Sequence, residues 1–205
     1  MTRIFLLRHG ETDWNANGTL QGSTDIPLNA RGLEQAEAAA AALAPRLGGE
    51  ARIIASPLSR ARATAEALAR VIGAEVHLDE RLVERHYGVW EGMSHGEIDE
   101  GFPEERARWH RGEEPLVDGY EGHDSVAERM GACLREHSAG APGGSIVFVS
   151  HGSALRVGIG VLLGLPAGSV GIGGIPNAHW SELKQREHGA WTLLAHAVGA
   201  PSHTA

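Results

Sequence analysis

Ile4-Phe5-Leu6-Leu7 runs straight into Arg8-His9-Gly10, and Ile146-Val147-Phe148-Val149 runs straight into Ser150-His151-Gly152. Each apolar run reads as a short buried strand. Each then delivers a histidine and a glycine at its carboxyl end. In an open α/β sheet, ligands bind just beyond the carboxyl ends of the strands. The repeated pattern therefore constrains the chain to a sheet whose polar strand ends meet at one edge.

The rest of the chain alternates in the same way. Residues 28–43 read as a turn leading into an alanine- and glutamate-rich helix, 53–55 as a strand, 58–72 as a helix and 75–78 as a strand. Residues 84–122 form a long irregular stretch rich in Gly, Pro and charge, and such a stretch in a compact domain is expected to be a lid or wall rather than a linker. Ser125 and Glu128 have capping-box spacing at a helix start near Asp124. Gly140–Gly144 read as a turn, 154–163 as a helix, and 179–183 with 191–195 as a hairpin at the sheet edge. The fold class expected is α/β: one domain over residues 1–205, with a mainly parallel, doubly wound sheet and helices on both faces.

Composition narrows the function. The formal net charge is −8, which argues against a nucleic-acid partner. Cys133 is the single cysteine, so no internal disulfide forms and a reducing compartment fits. No apolar stretch is long enough to span a membrane, and a cytoplasmic protein without a membrane partner is expected. Lys184 is the only lysine among 18 basic residues, which disfavours lysine-based catalysis.

Three expected strand ends carry related polar groups: Arg8-His9, Ser56-Pro57-Leu58-Ser59-Arg60 and Ser150-His151. A parallel sheet places them at one edge, so they can converge on one small ligand. Two guanidiniums can clamp a phosphoryl group, and a neutral imidazole can attack phosphorus. Fixed cations suit the negative charge that spreads over the equatorial oxygens in the transition state. An acid must also protonate the leaving alkoxide. Glu84 is one candidate, but the residue pattern alone leaves that choice open among 26 acidic residues. Neither a His-Glu-x-x-His motif nor a thiolate zinc set occurs, and the P-loop and Gly-x-Ser-x-Gly elbow are also missing, so no metal and no cofactor is expected.

Five ordered blocks give the chain a family resemblance. They are Arg8–Asn15, Asp25–Gly32 with Gln35-Ala36, Ser56–Ala61 with Thr64-Ala65, Leu82-Val83-Glu84 with Gly88–Gly92, and Val149–Gly152. Together they resemble the histidine phosphatase superfamily, also called phosphoglycerate-mutase-like. The resemblance implies that His9 becomes a phosphohistidine and that Arg8, Arg60 and His151 hold the phosphoryl oxygens. It implies a further phosphate contact from Asn15, and Glu84 as proton donor and later base. Gln21, Gly22 and Asn177 are expected to join the substrate site.

Two branches share the phosphohistidine step. Glu84-Arg85-His86-Tyr87-Gly88 resembles the mutase form, but Trp90-Glu91-Gly92 is the form common in phosphatases. His95 replaces a mutase lysine, and Trp109-His110-Arg111 holds only part of a mutase arginine pair. The reading favoured is a phosphatase of small, acidic phosphate esters, with Arg85, Tyr87, His95 and Arg111 lining a specificity wall. A phosphoglycerate mutase and an inactive phosphate-binding or interaction domain are the alternatives. His9 must be neutral while Glu84 is protonated, so a bell-shaped pH profile is expected. A homodimer through an edge strand stays open.

Overall fold

The computed structural model describes residues 1–139 and 144–201. The expected turn at Gly140–Gly144 falls on residues 140–143, outside the described residues. The elements in chain order are β1 (Arg3–Arg8), α1 (Asp13–Ala16), α2 (Ala30–Leu43), β2 (Ala51–Ala55), α3 (Ser59–Ile72) and β3 (Val76–Leu78). After them come α4 (His95–Gly101), α5 (Pro103–His110), α6 (His123–Ala139), β4 (Ser145–Ser150), α7 (Gly152–Leu162), β5 (Trp180–Gln185) and β6 (Trp191–Val198).

The strands form one sheet in the order β3-β2-β4-β1-β5-β6. The first four run parallel, while β5 and β6 run antiparallel as the expected hairpin, with β6 at the edge. Alternation along each strand divides the core. Ile4, Leu6, Ile146 and Phe148 face one cluster with residues of α6 and α7. Phe5, Leu7, Val147 and Val149 face a second with residues of α2 and α3. Burial on both faces explains why β1 and β4 read as unbroken apolar runs.

Local sequence sets the helix ends. Asn29 caps α2, its side chain accepting from the Gly32 amide at 2.8 Å. Gly73 closes α3 in the left-handed conformation, φ 67°. Helix α6 begins at His123, and the expected Ser125–Glu128 box is replaced by a bond from Ser125 Oγ to Glu121. Capping boxes form instead at Thr12–Asn15 and Ser94–Glu97. Helix α7 begins two residues earlier than its expected start at Ala154, which turns the Gly152 and Ser153 amides into its first turn.

Residues 84–122 are more ordered than expected. They contain α4, α5 and a 3-10 turn at Gly88–Trp90. Trp90, Tyr87 and Ile98 form a small core of their own with Phe102, Trp109 and Tyr120 packed against it. The aromatic ring pairs Trp90–Trp109 and Trp90–Phe102 pack this segment against itself.

Candidate active site

Strands β1, β4 and β2 lie side by side, so their carboxyl ends adjoin. The His9 amide donates to the Ser150 carbonyl at 3.0 Å, and the Ser56 amide to the Val149 carbonyl at 2.9 Å. Just beyond β1 the chain passes very close to α2. A Cβ at Gly10 would lie 2.3 Å from the Gly32 carbonyl oxygen, and one at Gly32 would lie 2.0 Å from that of Glu11. Glycine is required on both sides of this crossing, which anchors the loop carrying His9.

His9 is buried, and its Nδ1 lies 2.6 Å from the Gly10 carbonyl oxygen. A carbonyl only accepts, so Nδ1 carries the hydrogen and the lone pair sits on Nε2. Nε2 has no partner in the protein among the described residues. Burial, then the charges of Arg8 and Arg60, hold the His9 pKa well below its ordinary 6.5. The ring is thus neutral at neutral pH, with an oriented lone pair on Nε2.

Arg60, fully buried, donates from Nη1 to the Thr24 carbonyl and from Nη2 to the Gly22 carbonyl, both at 2.8 Å, and from Nε to His151 Nδ1 at 3.2 Å. Two of its five N–H groups remain for a ligand. Burial brings its pKa down to about 10, with Glu84 and Asp25 acting against that fall, and it stays charged. The loop that holds it is itself held: Glu91 accepts from the Ser23 amide at 3.0 Å and from Thr24 Oγ1 at 2.8 Å. Gly22 has φ 54°, and a Cβ there would strike the Glu91 carboxylate.

His151 differs from expectation. Its Nδ1 accepts from Arg60, so its Nε2–H donates to Ser56 Oγ at 2.9 Å. Both ring nitrogens are engaged inside the protein, and the ring packs beside His9 with centroids 5.1 Å apart. Through Nδ1 it is tied to the Arg60 guanidinium. Arg8 donates from Nη1 to the Ile175 carbonyl at 2.8 Å, while its buried Nε has no partner.

The Glu84 carboxylate sits against the first turn of α7. Oε1 accepts from the Arg85 amide at 2.8 Å and the Ala154 amide at 2.9 Å, and Oε2 from the Ser153 amide at 3.0 Å. Both lone pairs of Oε1 are used. Oε2 keeps one free, so Oε2 is the atom able to carry a proton toward a ligand.

These groups border a well of about 380 Å³, lined by Arg8, His9, Arg60 and Glu84 together with Asn15 and Gln21. Gly22, Tyr87, His95 and Asn177 also reach it. Asn177 donates to the His9 and Gly10 carbonyls and to Asn15 Oδ1, each at 3.1 Å, so it ties the loop after β1 to the turn before β5. The buried Oε1 of Gln21 has no partner. Burial, then the Glu84 charge, raises the Tyr87 pKa, which keeps the phenol neutral.

A second chamber of about 480 Å³ shares Arg8, Tyr87, Gly152 and Ser153 with the well. Arg85 lines it, as do Arg106, Trp109 and Arg156. Arg111 does not: it is exposed and pairs with Glu113, Nε to Oε1 at 2.7 Å. The expected wall residue is displaced because α5 ends at His110, and Arg106, about one turn earlier, faces the chamber instead.

One group of possible metal ligands occurs among the described residues, Asp79, Cys133 and His137. Arg81 grips both oxygens of Asp79, at 2.9 and 2.6 Å, so the carboxylate is committed to an ion pair. This cluster takes no part in the well.

Sequence reading missed Ser153, Arg156 and Arg106. Gly152 and Arg156 stand four residues apart on α7, so helical periodicity downstream of His151 is the signal that would have found Arg156.

The family model of the histidine phosphatase superfamily (branch 1) matches residues 4–198. The chain belongs to the histidine phosphatase superfamily. Glucosyl-3-phosphoglycerate phosphatase of Mycolicibacterium vanbaalenii is 38% identical over 189 residues, covering 88% of this chain and 83% of that protein. A probable phosphoglycerate mutase of Photorhabdus laumondii is 40% identical over 178 residues, covering 82% and 77%. The solved structure of a mycobacterial glucosyl-3-phosphoglycerate phosphatase in complex with VO3 matches with a TM-score of 0.88 and 33% identity, covering 96% of this chain and 99% of that one. In this histidine phosphatase no helix among the described residues is long and apolar enough to cross a membrane.

Proposed function

We propose that the chain is a phosphomonoester phosphatase that works through a phosphohistidine at His9. The observation that carries this reading is the fixed tautomer of His9: Nδ1–H on the Gly10 carbonyl and a free lone pair on Nε2, in a well bordered by Arg8 and Arg60. Nε2 attacks phosphorus while the ester P–O bond breaks, and Glu84 Oε2 gives its proton to the leaving alkoxide. Arg8 and the two free N–H groups of Arg60 take the charge on the phosphoryl oxygens. Oε2 then removes a proton from water, whose oxygen attacks phosphorus, and the P–N bond returns its electron pair to Nε2. His151 acts as a positioning residue that holds Arg60 in place. Residues 84–122 form the wall that selects substrates, through Arg85, Tyr87 and His95.

Small phosphorylated metabolites are the substrates, with glucosyl-3-phosphoglycerate the first candidate because two of the relatives above act on it by name. The single cysteine, Cys133, supports a reducing, cytoplasmic setting. A mutase is the second reading, favoured by the 40% identical relative that bears that name. The test is a panel of phosphate esters assayed with the protein and its His9→Ala variant, reading phosphate release beside isomerisation of 3-phosphoglycerate. Phosphate release that vanishes in the variant supports the phosphatase. Isomer without net phosphate supports the mutase.

A further inference from the structure

One ion pair grips the backbone around Glu84 although neither partner lines the well or the chamber beside it. Arg129 on α6 and Glu121 have side chains only 17% and 13% exposed. They meet fork to carboxylate, Nε to Oε1 at 2.8 Å and Nη2 to Oε2 at 2.9 Å. The third nitrogen of Arg129, Nη1, donates to two backbone carbonyls, Arg81 at 2.9 Å and Val83 at 2.7 Å. Ser150 Oγ donates to the carbonyl between them, Leu82, at 2.6 Å. All three carbonyls leading into Glu84 are therefore held by side chains. Beyond Glu84, Glu121 Oε2 accepts from the His86 amide at 3.3 Å, and the Glu121 amide donates to the His86 carbonyl at 2.9 Å. The pair thus holds the chain one residue before Glu84 and two residues after it.

Taking two charges out of water is costly, and apolar residues of similar size often stabilise a fold as well as such a pair does. What sets this pair apart is the strap of backbone to which it is bonded. We infer that Arg129 is a positioning residue for the proton donor. With Glu121 it fixes residues 83–86, so that the Glu84 carboxylate meets the Ser153 and Ala154 amides of α7 and keeps Oε2 free for a ligand. It acts through Glu84, not on the phosphoryl or leaving group. Displacing a reacting group by about 1 Å can cost about 10²-fold in rate. The inference rests on the phosphatase reading for what Glu84 does there, and on bonds within the protein for how Glu84 is seated.

A proton donor matters only where the leaving group needs the proton, so two esters separate positioning from general damage. Glycerol 3-phosphate leaves as an alkoxide, whereas dinitrophenyl phosphate leaves as a phenolate that is stable without a proton. Arg129→Met is expected to lower kcat/KM by about 10- to 100-fold on glycerol 3-phosphate and by less than about threefold on the aryl ester. Arg129→Lys, which keeps a donor for a carbonyl, should recover part of the alkyl rate. Arg129→Met with Glu121→Gln leaves no buried charge unpaired, and it is the readable variant if Arg129→Met alone folds poorly. Hydrogen exchange followed by NMR reads the seating without turnover. The Ser153 and Ala154 amides lie in the first turn of α7, where no helix carbonyl serves them, and Glu84 is their partner. Their exchange should quicken in Arg129→Met, while that of Leu155, bonded to the His151 carbonyl at 3.0 Å, should not. If the intact protein releases no phosphate from either ester, the phosphatase reading fails, and the amides alone decide whether Arg129 seats Glu84. Equal losses on the two esters, no loss on either, or unchanged exchange at both amides would overturn the inference.

Discussion

The backbone amide of Ala154 donates to Oε1 of Glu84 at 2.9 Å, joining the first turn of α7 to a carboxylate 70 residues earlier in the chain. With the Arg85 amide it fills Oε1 and leaves Oε2 as the atom free to move a proton. The same helix start lies directly after His151, so one turn of backbone sets the Glu84 carboxylate beside the histidine that binds Arg60.

Replacing Glu84 with Gln separates seating from proton transfer. The amide oxygen can keep the Oε1 bonds, but the amide nitrogen then faces the Ser153 donor. We expect kcat on an alkyl phosphate to fall by about 10²–10⁴, with a stability loss of about 1–3 kcal/mol. Steady-state kinetics and urea denaturation check the two effects. A variant with unchanged kcat would remove Glu84 from the proton path.

The two buried histidines set the acid side of stability. His9 and His151 have pKa values held well below 6.5, first by burial and then by Arg60 with its neighbours. The unfolded chain takes up both protons near the ordinary value while the folded chain does not. More protons bound in the unfolded state means that stability rises with pH. It is fully present above about pH 6.5 and is lost as pH falls toward the depressed folded values. Melting temperature should decline from pH 7 toward pH 5, and less steeply in His9→Gln. The same depression keeps His9 neutral below pH 6.5, so on the proposed mechanism the acid limb of kcat/KM should lie well under that value.

Gly10→Ala tests the crossing of the His9 loop over α2. The new methyl meets a backbone oxygen at 2.3 Å, which no side-chain rotation relieves. A loss of about 1–3 kcal/mol or more is expected, measured by chemical denaturation. Gly96→Ala, where nothing lies within 4 Å, is the control and should change stability little.

Arg60→Lys removes a planar fork that binds two carbonyls and His151 together. An ammonium cannot reproduce that set. A fall in kcat of about 10²–10³ is expected, with His151 Nδ1 left without its donor. Recovery of wild-type rates in this variant would contradict the role given to Arg60.

Much of the site is legible in the sequence. The unbroken apolar runs of β1 and β4 and their shared His-Gly endings placed His9 and His151 together, because parallel strands must finish on one edge. Arg60 followed from the third strand end. Glu84 did not follow from pattern: its place depends on amides of α7, which one residue type among 26 acids cannot announce. Residues 84–122 looked irregular because α4 and α5 are short and their core is aromatic rather than aliphatic. Arg111 enters the wall only through the resemblance of Trp109-His110-Arg111 to a mutase arginine pair, whereas α5 ends at His110 and leaves Arg111 in a surface ion pair with Glu113. The His151 tautomer depends on Arg60 and Ser56, a relation visible only in three dimensions.

The most direct test of the account is to trap the phosphoenzyme. The protein is mixed with a labelled phosphate ester, quenched in alkali within milliseconds and mapped by peptide mass spectrometry. The account predicts an acid-labile, alkali-stable phosphoryl group on the peptide bearing His9, absent in His9→Ala. Rapid turnover with no label on His9, or a His9→Ala variant that still releases phosphate at the wild-type rate, would contradict it.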